Sequence, residues 1–167
     1  IALISGIAWD HINVFPTYEN YVEQFEIFIK LITNGGILVY NEEDSEVKRV
    51  AEAASNPIRK LPYSTPSYRV ENGVTLLKTP EGDMPIEVFG AHNLNNLAGA
   101  KWICQNMGID EADFYEAIAS FKGASKRLEK IAESTTKVAY KDFAHSPSKV
   151  AATTKAVKEQ YPNRTLI

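Results

Sequence analysis

Two short apolar runs, Ile1–Ile7 and Ile37–Tyr40, stand on either side of an amphipathic segment, and this alternation constrains the fold more than any other feature of the chain. The first run is continuous apart from its closing Ser5-Gly6, which predicts a strand buried on both faces of a parallel sheet. From Thr17 onward the apolar residues are Tyr18, Tyr21, Val22, Phe25, Phe28, Ile29 and Ile32. That i, i+3, i+4, i+7 spacing predicts a helix with one stripe against the sheet. Asn34-Gly35-Gly36 stops it, Ile37–Tyr40 forms the next buried strand, and Asp44-Ser45 caps a helix reaching about Ala54. A β-loop-α-β-α order argues for an α/β fold with right-handed crossovers.

The pattern changes over residues 57–89, which carry five prolines. Short segments are expected at Leu61-Pro62-Tyr63, Tyr68-Arg69-Val70, Val74–Lys78 and Met84–Phe89. The turn Pro80-Glu81-Gly82-Asp83 pairs the last two as a hairpin, an antiparallel edge of the same domain. A helix over Leu94–Met107 ends at Gly108, and another runs from the Asp110 cap to Phe121. Lys122-Gly123-Ala124-Ser125-Lys126 reads as a mobile junction, giving one domain over residues 1–125 and the start of another over 126–167. Strands at Leu128–Glu133 and Lys137–Phe143 follow, then a helix from Pro147 to about Gln160 and a strand opening at Thr165–Ile167. The chain begins without Met inside an apolar run and stops where another begins, so a piece of a longer protein is expected.

With 44% hydrophobic and 23% charged residues, the chain has the composition of an ordinary globular protein. A net charge of −3 argues against a general binder of nucleic acid or of anionic membranes. No apolar run reaches membrane-spanning length. The lone Cys104 excludes an internal disulfide and suits a reducing cytoplasm, with a structural role on the apolar side of its helix.

Four stretches carry residue types suited to chemistry. Gly90-Ala91-His92-Asn93-Leu94-Asn95-Asn96-Leu97-Ala98-Gly99-Ala100 loads a helix start with a histidine and three amides. A cap needs one such residue, and Asn is a mediocre interior helix former. The surplus suits a flat partner such as a nucleobase, since amides donate and accept together; alternatively Asn93 caps the helix and the others are solvated. Asp10-His11 lies just past the first strand, at the carboxyl edge where ligands of parallel sheets collect. An imidazole there can bind a divalent metal or a phosphate-linked water, or hydrogen-bond its own loop. Lys126-Arg127 at the junction offers either a bidentate phosphate contact or a solvated basic pair. In Lys141-Asp142-Phe143-Ala144-His145-Ser146-Pro147 a strand ends at a carboxylate and a helix begins, gathering polar side chains with backbone N–H groups. The chain has no Gly-x-Ser-x-Gly elbow and no close histidine pair, which argues against a serine hydrolase and a zinc site.

In this order the four stretches resemble the Mur ligase family, the ATP-dependent amide-forming enzymes of bacterial cell-wall precursor synthesis. The resemblance covers essentially the whole chain. It rests on Asp10-His11, Gly90-x-His92-Asn93-x-x-Asn96, Lys126-Arg127-Leu128-Glu129 and Asp142-Phe143-Ala144-His145-x-Pro147. It implies the later part of a central ATP-binding domain over residues 1–125, then the start of a Rossmann-like C-terminal domain over 126–167. It further implies amide formation through an acyl phosphate, with ATP and magnesium as cofactors, in the cytoplasm. Asp10-His11-x-x-x-Phe15-Pro16 and Lys126-Arg127-Leu128-Glu129 most resemble the member that joins L-alanyl-γ-D-glutamyl-meso-diaminopimelate to UDP-N-acetylmuramate. The member that adds L-alanine to the same acceptor is next.

By the same resemblance His11 holds magnesium near the reacting phosphate, and Asn96 hydrogen-bonds adenine beside His92 and Asn93. Arg127 reaches the phosphates from the junction, Asp142 holds the ribose, and His145 lies next to it. The family's phosphate loop and its magnesium-binding glutamate are expected before Ile1, so the fragment alone is expected to be inactive. Three departures stand out. Phe25 and Glu26 occupy the place of a carbamylated lysine of the later ligases, Ser146 that of a second histidine, and Lys141 that of a common aspartate. Two other readings stay open: a nucleotide-binding module of this fold that has lost catalysis, and a metal hydrolase whose His11, His92 and His145 converge.

Overall fold

The computed structural model describes all 167 residues, Ile1–Ile167. It is an α/β protein with three sheets: β1-β2-β3, β4-β5-β6 and β7-β8. The chain divides into two compact units, residues 1–65 with 95–114, and residues 66–94 with 115–167.

In the first unit, β1 (Ala2–Ile4), β2 (Ile37–Asn41) and β3 (Arg59–Tyr63) are all parallel, with β2 in the middle. Between them come α1 (Tyr18–Lys30) and α2 (Ser45–Ala53). The alternation of β2 places its side chains on two cores. Leu38 and Tyr40 pack with Val22 and Ile29 of α1 and Val47, Val50 and Ala51 of α2. Val39 packs on the other face with Tyr63, Ala98 and Trp102, the last two from α3 (Ala91–Asn106). Leu38 and Val39 are fully buried, each burial stabilising by roughly 1.5–3 kcal/mol. The helical stripe read from the sequence is borne out at Tyr18, Tyr21, Val22, Phe25, Ile29 and Ile32, whereas Phe28 is exposed.

Both helix starts are capped. Thr17 Oγ1 accepts from the N–H of Asn20 at 3.1 Å, opening α1. Asp44 accepts from Glu46 and Val47 through Oδ1, while its Oδ2 takes the N–H of Ile7 at 2.9 Å. That last bond corrects the first strand. Expected over Ile1–Ile7 and buried on both faces, it ends at Ile4, because the Ile7 N–H turns away from the ladder to the α2 cap. Leu3 stays partly exposed.

Leu61-Pro62-Tyr63 belongs to this parallel sheet and not to an antiparallel edge. The N–H of Arg59 donates to Gly36, and the Tyr63 carbonyl accepts from Glu42, so the odd-numbered residues of β3 face β2. Pro62 therefore points its missing donor at the outer edge and costs no ladder bond.

In the second unit, β4 (Tyr68–Glu71), β5 (Val74–Thr79) and β6 (Gly82–Ile86) form an antiparallel sheet, with the expected β5–β6 hairpin. Strand β6 stops at Ile86, three residues short of the expected end. A second hairpin pairs β7 (Glu129–Glu133) with β8 (Val138–Lys141), bulged between Lys130 and Ala132. Helix α5 (Pro147–Gln160) has its proline at the start, as the sequence predicts. Its buried Gln160 accepts from Thr75 at 3.1 Å and donates to the Gly73 carbonyl at 2.5 Å, tying α5 to β5. Phe89, Leu128 and Ala156 form a core with Tyr140 and Val157 around them.

Helix α4 (Glu111–Ala119) is shorter than expected, and Thr165–Ile167 forms no strand. There the chain turns back instead, with Lys158 Nζ donating to the carbonyls of Pro162 and Arg164. No helix is long and apolar enough to cross a membrane.

Candidate functional site

At the carboxyl ends of the first unit's parallel strands lies a polar network that the sequence reading missed. Asn95 Nδ2 stands 3.1 Å from Asn41 Oδ1, 3.1 Å from Glu43 Oε2 and 3.2 Å from Thr65 Oγ1. Asn41 Nδ2 donates to the Ser5 carbonyl at 3.0 Å, and the Thr65 hydroxyl donates to Glu43 at 2.6 Å. The ends of all three strands are thus bound to α3. Asn95 was expected to be solvated, and it is 7% exposed. Asn95, Ala98 and Trp102 share one stripe of α3, and that spacing was the signal available in the sequence. The neighbouring Asn96 is exposed.

Helix α3 starts at Ala91, three residues earlier than expected, so His92 and Asn93 lie inside its first turn. Gly90, at φ +87°, provides the carbonyl that accepts from Asn93 and Leu94. Asn93 itself donates to the Phe89 carbonyl at 2.9 Å, tying the helix start to the preceding segment. His92 is partly buried. Burial pushes its imidazole below the ordinary histidine range, and the nearby Asp142 carboxylate opposes this.

Asp142 is heavily engaged within the second unit. Its Oδ1 accepts the N–H of Leu128 at 3.0 Å, and Oδ2 accepts from Ala144 at 3.1 Å and Thr153 at 2.9 Å. Burial alone would raise its pKa, but these donors, with the Phe143 N–H, outweigh it and hold the carboxyl below its ordinary value. His145 Nδ1 lies 2.9 Å from the Phe143 carbonyl, and its ring packs 5.0 Å from that of Phe143. Ser146 stands at the N-cap of α5 without a side-chain cap bond.

Arg127 is exposed, and the residues on either side of it are left-handed: Lys126 at φ +59° and Leu128 at φ +48°. Such backbone costs a non-glycine residue on the order of 1–2 kcal/mol and persists only where neighbours hold it. His11 also lies in this region of φ, at +55°. Its N–H donates to Asp10 Oδ1 at 2.8 Å, its carbonyl accepts from Val14 and Phe15, and Trp9 Nε1 closes the loop on the Phe15 carbonyl at 3.0 Å. The backbone thus makes the loop's turn, and the imidazole is exposed.

His11 and Asn96 belong to the first unit; His92, Asn93, Arg127, Asp142 and His145 belong to the second. No group of three or more His, Cys, Asp or Glu side chains is placed to hold a metal ion. A metal hydrolase would need such a group. Within the first unit Asn96 offers an exposed amide, and within the second Arg127 offers an exposed guanidinium. At the departures from the resemblance, Phe25 packs on the core and against Tyr21 at 5.2 Å, and Glu26 pairs with Arg49 at 3.5 Å.

Residues 1–104 match the family model of the Mur ligase middle domain. The UDP-N-acetylmuramate–L-alanine ligase of Roseiflexus sp. (strain RS-1) is 22% identical over 194 residues, covering 100% of this chain and 42% of that protein. The chain thus spans less than half the length of this curated relative. Among solved structures, MurF from Acinetobacter baumannii superposes with a TM-score of 0.76 at 17% identity, covering 92% of this chain and 36% of that one. The MurF ligase of Thermotoga maritima in complex with ADP gives 0.69 at 19% identity, with 94% and 38% covered.

Proposed function

Since this chain belongs to the Mur ligase family, whose middle domain matches its residues 1–104, we propose that it is the nucleotide-binding part of an ATP-dependent amide ligase of cell-wall precursor synthesis. The acceptor is the carboxylate of UDP-N-acetylmuramate, and the amine is L-alanine. One observation carries the choice of amine: curated relatives that align over the whole chain are L-alanine ligases. It favours L-alanine over the tripeptide suggested by Asp10-His11-x-x-x-Phe15-Pro16.

ATP supplies the phosphoryl group that turns a poor electrophile, the carboxylate, into one an amine can attack. The residues of this chain bind and orient. Asn96 takes the adenine edge through its exposed amide, and His92 with Asn93 form the wall beside it. Arg127 neutralises phosphate charge through a bidentate, permanently charged contact. Asp142 takes the ribose with the acceptor capacity its own loop leaves, and His145 lies next to it. His11 would supply one ligand to magnesium. Residues 1–125 make up the remainder of the central domain, and 126–167 open the next. The site of action is the cytoplasm, where ATP and UDP-linked precursors are found.

The test is phosphate release by the full-length protein. It should require ATP, UDP-N-acetylmuramate and L-alanine together, and the tripeptide should substitute poorly. Preference for the tripeptide would reverse the assignment of the amine. Tight ATP binding with no turnover on either amine would instead favour a module that has lost catalysis.

A further inference from the structure

We propose that Glu129 is the positioning residue that fixes the backbone carrying Arg127. The inference rests on reading Arg127 as a phosphate-binding arginine. Three successive N–H groups are held here by three different acceptors. Glu129 Oε2 takes that of Lys126 at 2.8 Å, the Ala124 carbonyl takes that of Arg127 at 3.1 Å, and Asp142 Oδ1 takes that of Leu128 at 3.0 Å. Glu129 Oε2 also accepts from the Ser125 hydroxyl at 3.3 Å. The turn is unfavourable for the residues in it, since Lys126 and Leu128 are both left-handed and neither is glycine. Leu128 is anchored twice over, by Asp142 and by burial of its side chain beside Phe89 and Ala156. Lys126 is exposed and depends on Glu129. Without that carboxylate, Lys126 relaxes to negative φ and the Arg127 guanidinium loses its fixed direction, while the core around Leu128 stays in place.

The experiment has a structural arm and a kinetic arm. In this chain, Glu129→Ala should raise the amide exchange rate of Lys126 about tenfold or more, since that rate follows local opening, and leave Leu128 protected. Unchanged exchange at Lys126 would overturn the proposal whatever the enzyme does. In the full-length protein, Glu129→Ala should lower kcat roughly 10- to 100-fold, the scale of a misplaced catalytic group, with a smaller change in KM for ATP. Glu129→Gln, whose amide oxygen still accepts, should stay close to wild type. Lys126→Gly added to Glu129→Ala should recover much of the loss, because glycine adopts positive φ without a carboxylate to hold it. If Glu129 acts through Arg127, Glu129→Ala should add little to Arg127→Ala. Full additivity, or wild-type turnover in Glu129→Ala alongside a damaged Arg127→Ala, would sink the positioning role and leave the phosphate reading intact. Wild-type turnover in Arg127→Ala would remove that reading and this proposal with it.

Discussion

The side-chain amide of Asn95 lies 3.1 Å from the side-chain oxygen of Asn41, joining α3 to the end of β2 across 54 residues of sequence. The adjacent asparagine, Asn96, is exposed. Two neighbours of the same type should therefore fail in opposite ways. Asn95→Leu strands buried polar partners and should cost about 1–3 kcal/mol in a urea melt. Asn96→Ala should change stability by less than about 0.5 kcal/mol yet weaken ATP binding several-fold, read by calorimetry on the full-length protein.

His92 gives a pH signature. Its pKa is lowered in the folded chain by burial, so below its ordinary range the unfolded chain binds a proton that the folded chain refuses. Stability should fall as pH drops from about 6.5 and level off below the folded value, with a slope of at most about 1.4 kcal/mol per pH unit. Denaturant midpoints measured from pH 7.5 to 5 should show a shallower acid limb for His92→Gln. An unchanged limb would place the titration elsewhere.

Asp142 contributes at lower pH. Its folded pKa is depressed by the donors that face it, so the stabilisation is present above the unfolded value of about 3.9 and is lost as pH falls through the folded one. Asp142→Asn should cost stability at pH 7 and progressively less on approach to pH 3. Amide exchange at Leu128 and Ala144, whose N–H groups it holds, should rise in the same variant.

Gly90 is constrained by conformation and by space. At φ +87° an added Cβ would lie 2.4 Å from the Cβ of Ala156. Gly90→Ala should therefore destabilise by about 2–5 kcal/mol, the sum of left-handed strain and overpacking. Thermal melts should show Ala156→Gly recovering only the overpacking part.

The repeating order of the first 54 residues was legible because an apolar run and an i, i+3, i+4, i+7 stripe each have one physical interpretation. Asp44 likewise could be read as a cap, since it acts on local backbone. Leu61–Tyr63 was not legible as a parallel strand. Its proline argues against a ladder position unless the open edge is known, and only the register of β3 on β2 reveals that. Of the site, the residue types at His92, Asn96, Arg127 and Asp142 could be singled out one by one. What Asn95 and Glu129 do depends on acceptors and donors that other elements or a folded turn bring within 3.3 Å, which spacing along the chain does not encode.

Pro62 has a further consequence for the sheet of the first unit. The flank of β3 that faces away from β2 lacks a donor at Pro62 and carries Arg59 and Lys60 nearby, so it is a poor template for another strand. The opposite flank, beyond β1, presents only Ala2, Leu3 and Ile4. A three-residue edge strand is likewise a weak template, so both flanks of this sheet discourage stray pairing.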